Sequence, residues 1–385
     1  MQLKYGLNPH QQFASLTGID EARAPLRLLN GSASYINVLD ALNAWQLVHE
    51  LRGALGLPAA ASFKHVSPAG AALAVPLSDE LARSYEVADK TLTPLATAYV
   101  RARGADPKCS FGDFVALSDE VDEATAEYLK GVVSDGVVAP GYSEQALAIL
   151  KTKKNGAFII FQADPAFEPP ARETREIWGM KLTQDHNARA LTMQDLKEVR
   201  CGSLDTDAER DLLLGLITLK YTQSNSVGYA WQGQMIGIGA GQQSRVDCTK
   251  LAGTKSDVWH LGRHPKVLGL LFRPELKRQD RINFRVRYIE GDLTKSEQTA
   301  FDAALQTPAS PLTEAEKRSF LATIRGVSLV SDGFIPFRDN IDHASKHGVS
   351  FIAQPGGSSR DADVEAACVE YDMAMVHTHV RLFHH

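Results

Sequence analysis

Cysteine is scarce: 385 residues hold only Cys109, Cys201, Cys248 and Cys368, and no two of them form a C-x-x-C pair. That excludes a disulfide framework and the usual zinc-ribbon spacings, and it fits reduced, buried thiols in a cytoplasmic protein. No stretch approaches the roughly 20 apolar residues of a membrane span, and the start MQLKYGLN lacks the apolar core of a signal peptide. Long basic runs and interleaved aromatic and basic repeats are missing too, and the formal net charge is -5, so the electrostatic footprint of nucleic-acid binding is absent. The sequence has no H-x-E with a downstream P-C-x-x-C, the signature of zinc nucleobase deaminases. It has no G-x-S-x-G elbow and no Gly-Lys-Ser/Thr of a P-loop. Any chemistry here rests on acid-base and electrostatic groups, without a zinc site.

What is present is an ordinary globular balance, 44% hydrophobic and 23% charged, in a chain long enough for two cores. Residues 36 to 55 place Val38, Leu42, Trp45, Val48 and Leu51 at helical steps, which predicts an amphipathic helix packed on a core. After Pro58, the run AAASFKH predicts a short buried strand ending in Lys64 and His65 before Pro68 and Gly70. VVSDGVVAPG, SEQALAILKTKKNG and AFIIFQ read as strand, helix, strand from Val132 onward, and the last sixty residues repeat that order twice. The class is α/β.

The string Val133-Ser134-Asp135-Gly136 recurs as Val330-Ser331-Asp332-Gly333, each at a strand end, which points to a duplicated unit. Residues 163 to 200 carry Pro165, Pro169, Pro170 and many charges with little periodicity, and read as a connector. A helix over 207 to 221, capped by Asp207, leads into TQSNS and two strands, SVGYAWQGQ and MIGIGAGQQSR.

Two constellations carry chemistry. In IGIGAGQQSR, Gly237, Gly239 and Gly241 leave a strand and end at Arg245, so backbone N-H groups and a guanidinium can converge on an anion; a tight packing turn is the competing reading. Lys64 beside His65 pairs a cation that can steady an oxyanion with an imidazole that can shuttle a proton, against the plainer reading of a surface pair.

Taken in order, KYGLNPHQ (4 to 11), FKHVSPAGAA (63 to 72), SFGDFVALSD (110 to 119), VSDGVVAPGY (133 to 142), KYTQSNSV (220 to 227), IGIGAGQQSR (236 to 245), PFRDN (336 to 340) and the terminal RLFHH resemble the 5-aminoimidazole-4-carboxamide ribonucleotide (AICAR) transformylase family. The strings span the chain, and RLFHH resembles a family terminus. The common family form also carries an N-terminal inosine monophosphate cyclohydrolase domain of about two hundred residues. This sequence starts at the transformylase, so ring closure is expected from another enzyme.

The resemblance implies two tandem cytidine-deaminase-like α/β/α units without zinc, at 1-162 and 263-385, joined by a connecting segment at 163-262. It implies formyl transfer from 10-formyltetrahydrofolate to the AICAR amine, with His65 as general base and Lys64 as oxyanion stabiliser. Nucleotide contacts fall on Lys4, Tyr5, Gly112, Asp135, Asn225, Phe334 and Arg381, and folate contacts on Arg245, Val246, Asp339, Ser358 and Ser359. Plainer roles compete at several positions: turn formation for Asp135 and Asn225, core packing for Phe334, helix capping for Ser358 and Ser359. Two residues depart from the family: Lys4 stands where it has Arg, and loses the planar fork, and Val246 where it often has Ile. A homodimer with active sites at its interface is expected, and a potassium ion near residues 219 to 226 and Asp332. A nucleotide sensor without turnover, or a formyltransferase with another acceptor or donor, would share most of these motifs.

Overall fold

The computed structural model describes residues 1–18 and 24–385. The predicted amphipathic helix is α1 (Tyr35–Leu55), which follows β1 (Leu26–Asn30). Ser34 starts α1 by accepting from the Asn37 amide, with Asn37 reciprocating, and Gly56 ends it in a left-handed turn at φ 69°. Val38, Trp45, Val48 and Leu51 are buried, each stabilising the fold by roughly 1.5–3 kcal/mol relative to exposure, while Leu42 is half-buried.

After α1 come β2 (Ala59–Lys64), β3 (Ser67–Leu73), α2 (Asp79–Ser84), α3 (Pro94–Gly104), β4 (Asp113–Leu117), α4 (Glu123–Lys130), β5 (Ser134–Ala139), α5 (Glu144–Thr152) and β6 (Ile159–Ala163). A hairpin of β7 (Arg172–Ile177) and β8 (Met180–Asp185) stands apart as its own two-stranded sheet. Then follow β9 (Val199–Cys201), α6 (Thr206–Lys220), β10 (Val227–Trp231), β11 (Gln234–Gly239) and α7 (Arg245–Leu261). Four helices, α8 (Pro265–Leu268), α9 (Arg278–Glu290), α10 (Lys295–Ala304) and α11 (Glu314–Leu321), pack around Phe272, Tyr288 and Phe301. The chain closes with β12 (Val327–Ser331), α12 (Asp339–Ala344), β13 (Val349–Gln354), α13 (Asp361–Glu370) and β14 (Ala374–His377).

The main sheet has 12 strands in the order β1-β6-β5-β4-β2-β3-β11-β10-β12-β13-β14-β9. Its two halves repeat one plan, with β1 to β6 corresponding in chain order and sheet position to β9 to β14. In each half three strands run parallel, β4-β5-β6 and β12-β13-β14, flanked by antiparallel neighbours. The halves meet where β3 pairs antiparallel with β11 at Ala72 and Gln234. Helices α1 and α6 cover one face through a shared core that includes Trp45, Leu51, Leu213 and Ile217. The other face is covered by α3, α4 and α5 in the first half and by α7, α12 and α13 in the second.

Four expectations change. The 163–262 stretch is not all connector, because β9, α6, β10, β11 and α7 complete the second half of the sheet; side-chain patterning could not reveal the long-range pairing of β3 with β11. The recurring Val-Ser-Asp-Gly marks opposite strand ends, since Ser134 opens β5 and Ser331 closes β12. Helix α6 is capped by Asp205, whose side chain accepts from the Ala208 amide, while Asp207 pairs with Arg210 at 2.6 Å. Of the cysteines, Cys248 and Cys368 are buried, but Cys109 and Cys201 only partly so. Among the described residues no helix is long and apolar enough to cross a membrane, and no group of His, Cys, Asp or Glu is placed to hold a metal ion.

Candidate active site

Strand β2 runs antiparallel to β4, so its last residue, Lys64, arrives beside the amino end of β4. Lys64 pairs with Ser67 across the hairpin, which leaves His65 and Val66 as a two-residue turn with φ of 53° and 62°. The half-buried Lys64 turns its ammonium to the Gly112 carbonyl at 2.7 Å, whereas His65 is exposed at the tip. Gly112 is itself held: its N–H donates to the Val133 carbonyl at 3.1 Å, and Arg103 ties that carbonyl to the buried Asp113 at 2.9 and 2.7 Å. An ammonium has three donors and the Gly112 bond uses one, so Lys64 keeps donors for a ligand oxygen.

Asp135 lies on the same side, at the start of β5; a Cβ added to Gly112 would stand 3.1 Å from the Lys64 ammonium and 3.9 Å from an Asp135 oxygen. Asp135 pairs with Lys154 at 2.8 Å, with both side chains partly exposed. From α1, the buried Asp40 accepts the Val66 N–H at 2.7 Å. Burial pushes the Asp40 carboxyl up to about 6; the Val66 bond and the Lys64 charge oppose the rise, and the Asp135 charge adds to it.

A second group forms around Asp332. Arg245 is buried and committed: it donates to Asp332 at 2.5 Å, to the Ser331 hydroxyl at 2.8 Å and to Asn225 Oδ1 at 2.8 Å. Asn225 in turn donates to the Gln242 and Gln243 carbonyls at 3.0 and 3.2 Å. The other Asp332 oxygen accepts from the Ser224 hydroxyl at 2.6 Å and the Ser226 N–H at 3.0 Å. Of the glycines, Gly237 and Gly239 serve close packing of β11 on α7, since added Cβ atoms would meet the Ala252 and Cys248 carbonyls at 2.2 and 2.5 Å. Gly241 takes a left-handed φ of 66°.

The remaining residues are more exposed. Lys4 and Tyr5 lie against the start of α1, with the Lys4 amide on the Ala33 carbonyl and the Tyr5 carbonyl on the Tyr35 amide. Phe334 is 48% exposed and so is not a core residue. The exposed Arg381 guanidinium sits 4.6 Å from the Phe383 ring centre, and the next residue, Leu382, donates its amide to the Asp332 carbonyl. Val246 is half-buried in the first turn of α7, and Asp339 opens α12, exposed. Neither serine caps α13, whose N-cap is Arg360; Ser358 instead accepts the Arg360 amide at 3.1 Å.

Strand directions explain how such scattered segments gather. With β4-β5-β6 running one way and β12-β13-β14 the other, the amino ends of the first set and the carboxyl ends of the second share one edge of the sheet. Lys64, His65, Gly112 and Asp135 reach that edge from the first half; Asn225, Arg245, Val246, Phe334, Asp339, Ser358, Ser359 and Arg381 reach it from the second. Between the groups, Asn43 on α1 meets the His384 ring at 3.2 Å, and the His384 carbonyl accepts the Ser224 amide at 3.0 Å. Sequence motifs do not mark Asp40 or Lys154, and they reach His384 only as part of the terminal RLFHH string. Asp40 had left a signal, a carboxylate beside Val38 and Ala41 on the buried face of α1. A cavity of about 310 Å³ lies elsewhere, lined by Tyr85, Cys109, Lys255, Trp259 and Arg278, and does not reach Lys64 or His65.

Comparison with known proteins adds to this geometry. A family model described as the AICARFT/IMPCHase bienzyme matches residues 1–255. The chain is 32% identical over 389 residues to a bifunctional purine biosynthesis protein PurH of Magnetococcus marinus, covering all of this chain and 59% of that protein. It is likewise 32% identical over 390 residues to PurH of Cereibacter sphaeroides and 31% identical over 386 residues to PurH of a Ruegeria species, with the same coverage. The chain thus spans about three fifths of the length of the curated relatives it matches.

Proposed function

The chain belongs to the AICARFT/IMPCHase bienzyme family, and from that premise we propose that it transfers a formyl group from 10-formyltetrahydrofolate to the 5-amino group of AICAR, a step of purine biosynthesis. The products are formyl-AICAR and tetrahydrofolate. The observation that carries the reading is the turn at the end of β2, where Lys64 is anchored to Gly112 beside an exposed His65.

The acceptor amine is a poor nucleophile because its lone pair is delocalised into the imidazole ring. His65 takes a proton from it as its nitrogen bonds to the formyl carbon, an assistance that typically supplies about 10²- to 10⁴-fold in rate. The free donors of the Lys64 ammonium receive the negative charge on the former carbonyl oxygen. When that oxygen re-forms its double bond, the bond from carbon to the folate nitrogen breaks, and the nitrogen leaves with a proton returned from the imidazolium.

In this reading Lys4, Tyr5, Gly112, Asp135, Asn225, Phe334 and Arg381 hold the nucleotide, with Arg381 offering its fork to the phosphate. The folate falls to Arg245, Val246, Asp339, Ser358 and Ser359. Because the Arg245 side chain is committed to Asp332, its contribution to folate comes from the backbone at the start of α7. A potassium ion near residues 219 to 226 and Asp332 belongs to the same reading, and the Ser226 hydroxyl, buried there without a hydrogen-bond partner among the described residues, supports it. Ser226 and neighbouring carbonyls would hold the ion, which would fix the loop before β10. The repeated sheet plan supports two tandem cytidine-deaminase-like units, and we place the working enzyme as a cytoplasmic homodimer.

The test is to mix the purified protein with AICAR and 10-formyltetrahydrofolate and follow tetrahydrofolate absorbance. Turnover that requires both compounds supports the reading. Tight AICAR binding without turnover would make the protein a nucleotide sensor instead.

A further inference from the structure

Among the described residues three hairpins turn on two residues: Trp178–Gly179, Gln232–Gly233 and His65–Val66. All six residues have positive φ, as such turns require. The first two hairpins place glycine second, where a left-handed backbone costs little. The third places Val66 there, at φ 62°, and a β-branched side chain is the least suited to that region. Such conformations persist where surrounding structure over-determines them, so the His65–Val66 turn needs a tie from outside itself.

We infer that Asp40 is a positioning residue: from α1 its carboxylate holds the His65–Val66 turn in the left-handed shape that sets where the imidazole stands. The tie is the 2.7 Å bond from the Val66 N–H to Asp40 Oδ1. It deepens the formyl-transfer reading and rests on it for the role of His65. The repeated half supplies a comparison within the same molecule. There α6 stands where α1 does, and Asp211 accepts the Gly233 N–H at 2.7 Å, the same bond from the equivalent helix to the equivalent turn residue. Three things differ: that turn lies on the far edge of the sheet, its second residue is glycine, and Asp211 has an arginine partner, Arg210, at 2.9 Å. Asp40 has no such partner at hydrogen-bond distance among the described residues, and burial raises its carboxyl to about 6. A buried, incompletely compensated carboxylate that feels the Lys64 charge and holds the residue after His65 is costly for a fold and useful for a site.

The measurement compares Asp40→Ala, Asp40→Asn, Asp211→Ala and the double variant Asp40→Ala with Val66→Gly, each assayed per folded molecule with AICAR and 10-formyltetrahydrofolate. Asp40→Ala is expected to lower kcat about 30- to 100-fold and to move KM for AICAR less than about threefold, because a catalytic group displaced by about 1 Å loses rate on that scale. Asparagine keeps an acceptor oxygen and is expected to stay within about threefold of wild type. Asp211→Ala removes the matching tie from the far hairpin and leaves kcat unchanged. Val66→Gly relieves the strain, so in the Asp40→Ala background it recovers about tenfold or more, a coupling a double-mutant cycle reads directly. Wild-type kcat in Asp40→Ala, equal losses in the Ala and Asn variants, or no recovery by Val66→Gly would overturn the inference. Hydrogen exchange across residues 63 to 70 reads the tie without activity: faster exchange in Asp40→Ala supports it, unchanged exchange overturns it. A wild-type protein without turnover refutes formyl transfer instead, and exchange still decides the tie.

Discussion

The Lys64 ammonium donates to the Gly112 carbonyl at 2.7 Å, so the cation at the end of β2 is fixed by a backbone oxygen and not by a carboxylate. A carbonyl orients the ammonium without neutralising it, which leaves full positive charge for an oxyanion. Gly112 also has the left-handed φ of 69°, and its missing side chain is the space the ammonium occupies.

Gly112→Ala should therefore act twice. The backbone conformation costs about 1–2 kcal/mol with a Cβ present. The new methyl, 3.1 Å from the ammonium, pushes Lys64 off its carbonyl and should lower kcat at least about tenfold. Thermal melts and steady-state rates check the two effects separately.

The Asp40 carboxyl gives a pH signature. Its folded value, about 6, lies above the ordinary carboxyl value of 3.8, so the folded state holds the proton more tightly. The resulting stabilisation is complete below about pH 3.8 and is lost as pH rises through about 6. Above that, the ionised carboxylate costs the fold up to about 3 kcal/mol. Asp40→Asn should exceed wild type in urea stability at pH 8, with the difference shrinking as pH falls from 6 toward 4. A difference that grows on acidification would contradict the sign.

Asp332→Ala should be severe for stability. It strands the Arg245 guanidinium, buried with its strongest partner gone, at a cost of about 3–5 kcal/mol. It also frees the Ser224 hydroxyl and the Ser226 N–H, so the segment carrying Asn225 should loosen. Urea denaturation measures the first effect, and AICAR affinity of the folded fraction the second.

Gly237→Ala distinguishes packing from ligand cradling in the glycine run. The added Cβ would lie 2.2 Å from the Ala252 carbonyl, so α7 must move off β11. Overpacking of this kind costs about 1–3 kcal/mol. The loss should appear in denaturation midpoints, with KM for the folate changed less than stability.

Much of this fold was legible in the sequence where the signal is local. The apolar steps of α1, the strand ending at Lys64 and the strand-helix-strand units at both ends of the sheet follow from side-chain periodicity. Capping misled by two residues at α6, because Asp205 and Asp207 are equally good caps by type. The string that points to the duplication falls at the start of β5 and the end of β12; in the repeated order, Ser118-Asp119 after β4 is the closer counterpart of Ser331-Asp332. What joins the two halves of the sheet, the antiparallel pairing of β3 with β11, leaves no local pattern. Asp40 needed the turn and α1 to be seen together, since 26 residues separate it from the amide it holds.

The most direct test of the account is the rate of formyl transfer by His65→Ala, with AICAR affinity measured on the same preparation. The account predicts a kcat lowered about 10²- to 10⁴-fold with AICAR binding nearly unchanged, as removal of a general base should give. A variant that keeps kcat within about threefold of wild type would contradict it, because proton removal from the amine would then be the work of another group.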